Sequence, residues 1–322
     1  MAASLIAVAI PICIAAQPPR YVVVSNEESR DLTFLDGATG KTIATLPVGE
    51  RPRGIHSTAD GKRLYVALSD DESQVATGRD AIVVVDVASR RVVERFAAGT
   101  DPEQFAVTPD GRYLYASNED AGTAVAIDAS RGRVTATLVV GIEPEGVAAS
   151  PDGRWVYVTA ETSNSVSVID TRGPSVVTSF LVDVRPRAVA FSPDGKRAYV
   201  SNEISGTLAV IDARTHELIS TILIDDGDSK PVGLAVSPGS RRVYVAGGSS
   251  GAVTVVDAVS LKPLARIPVG RRPWNVVLSR DGRLLYTANG LSNDVSVVDL
   301  RLGKVIATYR VGKKPWGLAL VY

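Results

Sequence analysis

With 322 residues and 35 Lys and Arg balanced by 35 Asp and Glu, the chain has no bulk charge to draw it to nucleic acid or an anionic membrane surface. Hydrophobic residues make up 45% and charged residues 22%, enough to bury a large core. The single cysteine, Cys13, excludes internal disulfides and cysteine-based metal clusters. The two histidines, His56 and His216, fall in different repeat positions, so a histidine metal or haem cluster is excluded as well.

Residues 1–16, MAASLIAVAIPICIAA, form an apolar run too short to span a bilayer and ending in small residues. They read as a secretory signal cleaved near Ala15 or Ala16, although no basic residue precedes them. The expected location is therefore the periplasm or another exported compartment. From residue 20 to 322 the chain reads as one domain.

Residues 140–170 give the repeating unit. Val147–Ala149 lead into Ser150-Pro151-Asp152-Gly153, with Pro and Gly where a type I turn wants them. Trp155–Thr159 return as a strand, Glu161–Ser165 form a polar loop, and Val166–Ile169 lead to Asp170. A fourth strand lies around Val176–Val182. The unit's proline recurs as Pro52, Pro102, Pro144, Pro186, Pro231, Pro273 and Pro315. Its aspartate recurs as Asp36, Asp86, Asp128, Asp170, Asp212, Asp257 and Asp299. Four strands per period of roughly 40–45 residues predict an all-β, seven-bladed propeller with antiparallel blades. The first copy lacks its opening strand and the last has only that strand. Closure is expected from three N-terminal strands and one C-terminal strand, which limits exposed edges.

This strand order puts the proline loops and the loops after the second strand on one face. Two insertions fall there, eight residues within Ser69–Asp80 and three within Asp225–Ser229. They mark it as the working face. The residues flanking each proline should ring the channel mouth: Arg51 and Arg53, Asp101 and Glu103, Glu143 and Glu145, Arg185 and Arg187, Lys230, Arg272 and Trp274, Lys314 and Trp316. Glu27, Glu119, Glu161 and Glu203 follow the second strands. One reading is inter-blade ion pairing. The other is a site for a planar anion such as pyrroloquinoline quinone (PQQ), gripped by Trp274, Trp316 and the basic residues, with Asn275 as a directional hydrogen-bond donor.

Catalytic signals are weak: the chain has no G-x-S-x-G elbow, P-loop or haem-attachment motif. His56 reads as a packed core histidine, and His216 as a turn residue on the opposite face. Carboxylates such as Glu103 and Glu145 read as architecture rather than as acid and base. Gly247, Gly248 and Gly290 read as turn glycines.

Tyr157-Val158-Thr159, Tyr199-Val200-Ser201-Asn202 and Tyr115-Ala116-Ser117-Asn118 resemble the YVTN family of β-propeller repeats. The stretches DPEQFAVTPDG (101–111), NEDAGT (118–123), EPEGVAASPDG (143–153), RPRAVAF (185–191), SNEISGTLAVID (201–212), TANGLSNDVSVVD (287–299) and KKPWGLAL (313–320) resemble one subfamily, the PQQ-dependent catabolism-associated β-propeller proteins. That resemblance implies a link to PQQ-dependent alcohol catabolism and its transport system. With seven distinct loop sets on a rigid ring and no catalytic constellation, the leading expectation is a non-catalytic periplasmic scaffold or binding protein, a monomer. Its partners would be a PQQ dehydrogenase, a cytochrome or a transporter component. The alternatives are a lactonase-like or lyase-like propeller enzyme acting at the channel mouth, and a surface interaction protein.

Overall fold

The computed structural model describes residues 18–70, 79–225 and 228–322. The expected export segment lies outside the described residues, as do residues 71–78 and 226–227 of the two insertions. Among the described residues 28 strands form seven four-stranded antiparallel sheets. Blades 1 to 6 are each built from consecutive strands. Blade 7 combines the C-terminal Pro315–Val321 with Tyr21–Asn26, Asp31–Asp36 and Thr42–Pro47. Tyr21 pairs with Val321 and Val24 with Leu318, so the two ends of the chain close the ring as the repeat offsets predict. No helix of the described residues is long and apolar enough to cross a membrane.

Seven apolar clusters occupy the seven interfaces between neighbouring blades. The cluster holding Val23, Phe34, Leu64 and Val83 joins blade 7 to blade 1, and the one holding Val22, Tyr286, Val295 and Leu318 joins blade 6 to blade 7. Each middle strand is therefore buried on both faces, which is why these strands read as near-continuous Val, Ile, Leu and Ala runs. The SPDG turns are tied by their own side chains. Ser150 Oγ donates to Asp152 at 2.5 Å, Arg154 N donates to the same carboxylate at 3.0 Å, and Gly153 takes φ +72°.

The innermost strands begin at the repeat prolines: Pro52–Ser57, Pro144–Ala149, Pro186–Phe191, Pro231–Val236, Pro273–Leu278 and Pro315–Val321, with the short Phe105–Val107 in blade 2. Their pairing slips just after the proline in blades 1 and 3 to 6, as in Pro144↔Ala160 followed by Val147↔Val158, and blade 7 shows the matching irregularity. A bulge re-aims the side chains that it carries. Hydroxyls on the second strands clasp these bulges across the interfaces. Ser117 donates to Glu145 O at 2.8 Å, Thr159 to Arg187 O at 3.2 Å and Ser201 to Val232 O at 2.5 Å.

Candidate functional site

All seven residues that precede the repeat prolines adopt a left-handed backbone: Arg51, Asp101, Glu143, Arg185, Lys230, Arg272 and Lys314, with φ between 33° and 62°. Non-glycine residues reach this region at a cost, and a following proline disfavours helical geometry further. A backbone bond within the blade holds the conformation. Glu161 N donates to Glu143 O at 2.8 Å, Glu203 N to Arg185 O at 2.8 Å and Gly290 N to Arg272 O at 2.8 Å. The loop thus ties the end of the second strand to the start of the first and turns polar side chains around one rim of the channel.

One cavity of about 350 Å³ is bordered by the innermost strands of all seven blades, so it lies on the propeller axis. Its polar wall carries Glu145, Arg187, Gln104, Asn275 and His56, and Trp274 and Trp316 border it as well. A second cavity of about 320 Å³ shares Ile55, His56, Val277, Leu278 and Leu318 with the first and leads toward the opposite face, where Arg280 and Tyr322 lie.

The mouth charges form two clusters. In the first, Arg53 reaches Glu27 at 3.3 Å and pairs with Glu103, while Arg51 lies 3.5 Å from both Glu27 and Asp101. In the second, Arg187 pairs with Glu145 at 2.7 Å and with Glu161, and Arg185 reaches Glu161 at 2.7 Å and Glu203 at 3.3 Å. Arg272 crosses blade 5 to meet Glu203 at 3.0 Å. It can do so because blade 5 carries Gly248 where other blades carry glutamate: a Cβ there would sit 3.1 Å from Arg272 Nη1. Five guanidiniums, those of Arg51, Arg53, Arg185, Arg187 and Arg272, thus stand among seven carboxyl groups, those of Glu27, Asp101, Glu103, Glu119, Glu145, Glu161 and Glu203. The ion-pair reading of these residues describes their contacts well.

The second cluster brings two buried carboxyls, those of Glu145 and Glu161, onto the one Arg187 guanidinium. Burial pushes Glu145 well above the usual carboxylate range, and Glu161 raises it further, against the pull of Arg187. Burial also pushes Glu161 upward, but the neighbouring Glu145 and the guanidiniums of Arg187 and Arg185 outweigh it and hold Glu161 low. The two carboxyls are pushed in opposite directions, the arrangement by which such a pair divides acid and base roles. Only Glu145 of the pair borders the cavity.

Trp274 lies between Arg272, 4.1 Å from its ring centroid, and Arg187 at 5.7 Å. It fits over Gly290, where a Cβ would come within 2.5 Å of Trp274 Cδ1. Gly248 and Gly290 are therefore space-makers for the site and not merely turn glycines. Trp316 occupies the equivalent position in blade 7 but is 6% exposed, so the two indoles differ in access. Asn275 borders the cavity, with its Oδ1 accepting from Val276 N at 2.8 Å. The remaining mouth residues, Glu143, Lys230 and Lys314, stay on the exposed rim. Glu143 accepts from Thr162 at 2.5 Å, and Lys314 lies 3.7 Å from Glu28.

His56 departs from expectation. It faces the channel rather than the core, with its ring 4.9 Å from that of Phe105. The ring borders internal space enclosed by protein, so desolvation lowers its pKa to about 4 despite a bond that favours its charged form. For metal binding, the described residues bring together Asp101, Glu103 and Glu119, with ligand atoms within 4.8 Å of one another. Arg51 and Arg53 already place positive charge at Asp101 and Glu103.

Fold and site together define a seven-bladed β-propeller with a charged pocket on its axis. Residues 79–236 match the model of the YNCE-like β-propellers, and residues 182–305 match that of the lactonases with a seven-bladed β-propeller. A search of curated protein sequences finds no significant match. Similar solved structures include the hydrazine synthase of Kuenenia stuttgartiensis, with 23% identity, a TM-score of 0.78, and 90% of this chain and 97% of that chain covered. The periplasmic gluconolactonase of Pseudomonas aeruginosa is 21% identical, with a TM-score of 0.78 and coverage of 94% and 99%. A Bacteroides fragilis protein provisionally described as a 6-phosphogluconolactonase is 18% identical, with a TM-score of 0.77 and coverage of 96% and 99%. At these identities the likeness shows a shared fold.

These findings correct the expectation of a non-catalytic scaffold that is no enzyme. The lactonase model matches across blades 4 to 6, and at the mouth Glu145, which sequence reading took for architecture, borders the axial cavity and shares Arg187 with Glu161. They favour the lactonase-like alternative.

Proposed function

We propose that the protein is a lactonase-type hydrolase that opens a cyclic ester in the axial pocket. The observation that carries this reading is Glu145 at the wall of the axial cavity, sharing the Arg187 guanidinium with Glu161, its carboxyl raised by burial while that of Glu161 is lowered. The lactone match over residues 182–305 and the lactonase names of two structural neighbours support it. Arg187 polarises the ester carbonyl and stabilises the tetrahedral oxyanion that forms when water attacks. Glu145 gives its proton to the ring oxygen as that C–O bond breaks, and the carboxyl pair is reloaded by the proton of the attacking water. Trp274 walls the ring.

The blade-specific loops extend this reading to an exported protein of PQQ-linked oxidation. Oxidising a cyclic hemiacetal yields a lactone, which gives a hydrolase of this kind its substrate. The test is proton release from a panel of lactones by the purified full chain. Hydrolysis well above the spontaneous rate, lost in Glu145→Gln and Arg187→Met, supports the proposal. Rates equal to the spontaneous ones for every lactone overturn it.

A further inference from the structure

Resting on that reading, we infer that the pocket takes an uncharged lactone bearing an alkyl chain, in preference to a phosphorylated or polyhydroxylated sugar lactone. Three observations converge on this, beginning with charge. A phosphate brings two negative charges to be matched, yet the five mouth arginines stand among seven carboxyl groups, with Arg272 engaged by Glu203 and Arg53 by Glu103.

The second is the lining, where Val189, Val232, Leu234, Val236, Val276 and Leu278 offer no hydrogen-bonding side chain to a sugar hydroxyl.

The third is the shape of the channel below the mouth. In blades 1 to 6 each innermost strand carries one residue paired with the repeat tyrosine of the next strand, as in Ala148↔Tyr157, Ala190↔Tyr199, Ala235↔Tyr244 and Val277↔Tyr286. Small apolar residues dominate this level, and Ile55, Val277, Leu278 and Leu318, with His56, are common to both cavities. His56 is the polar exception, and it is held neutral there. A ring held at Glu145 and Arg187 can therefore send an alkyl chain down the axis, where it meets Val277 and Leu278, residues common to both cavities.

The experiment measures KM for δ-lactones of increasing side-chain length, alongside glucono-1,5-lactone and its 6-phosphate, using the full chain. Each methylene that leaves water should lower KM about fourfold until the chain fills the channel. Val277→Asp should abolish that dependence, read as the ratio of KM for the substituted and unsubstituted δ-lactones within the same variant. A KM independent of chain length, or a preference for the sugar lactones, overturns the inference and leaves the hydrolase reading standing. Binding of unreactive lactams, followed by tryptophan fluorescence, separates the two claims if no lactone turns over. An alkyl-substituted δ-lactam that binds more tightly than gluconolactam upholds the ligand class without the activity, and equal or reversed affinities overturn it.

Discussion

Arg187→Met retains most of the side chain's length and volume while deleting its charge. The arginine is 12% exposed and sits among Glu145, Glu161 and Glu203, whose side chains are 8%, 4% and 9% exposed. Removing one partner of a buried ion pair leaves the other desolvated and uncompensated, at a cost of about 3–5 kcal/mol. The loss should depend on pH. Arg187 helps hold Glu161 below the ordinary carboxyl range, so this stabilisation is present above that range and is lost as pH falls through the lowered value. Without Arg187, Glu161 can take up a proton in the folded state, so acidification relieves the variant. Urea unfolding of wild type and variant at pH 8 and pH 5 reads both quantities. The expected deficit is about 3–5 kcal/mol at pH 8 and clearly smaller at pH 5. A deficit below about 1 kcal/mol at pH 8, the range of exposed pairs, would refute the reasoning. So would one that is equal at both pH values.

Gly290→Ala places a methyl against the Trp274 indole, and overpacking of this kind costs about 1–3 kcal/mol. A lower melting temperature and a shifted tryptophan emission are expected, and an unchanged spectrum would contradict the placement. Glu145→Gln removes the carboxyl that burial pushes well above its ordinary range. Because Glu145 is raised in the folded state, its contribution is complete below the ordinary carboxyl range and declines as pH rises through the raised value. The variant should therefore gain on wild type with rising pH in thermal unfolding, and parallel pH curves would count against a Glu145 carboxyl raised by burial. The His56 ring should titrate near pH 4 in NMR, well below the usual value of 6.5. A midpoint near 6.5 would show that the channel does not desolvate it.

The ring was legible because its repeat is written in residues with backbone roles. Six of the seven prolines start the innermost strands, the aspartates cap the turns, and the SPDG glycines take positive φ. Blade 7 followed because the first copy lacks its opening strand and the last has only that strand. The site was legible only as a list. Arg53, Glu103, Glu145, Arg187, Trp274 and Trp316 do surround the mouth, but spacing cannot say that Glu145 is pushed up and Glu161 down, since that depends on burial and on the reach of Arg187. His56 was misread because an inner strand of a propeller has a channel on one side, so its period-2 pattern does not mark a core face. Gly248 and Gly290 carried a usable signal: they stand where blades 2, 3, 4 and 7 have glutamate, and a small residue in a charged slot makes room for a neighbour.

The most direct test of the central claim is a crystal structure of the full chain with an unreactive alkyl-substituted δ-lactam. The account predicts the lactam carbonyl oxygen about 3 Å from the Arg187 guanidinium, with the ring against Trp274 and Glu145 within hydrogen-bonding reach of the ring heteroatom. A lactam bound away from Glu145 and Arg187, or an axial pocket left empty at saturating lactam, would contradict it.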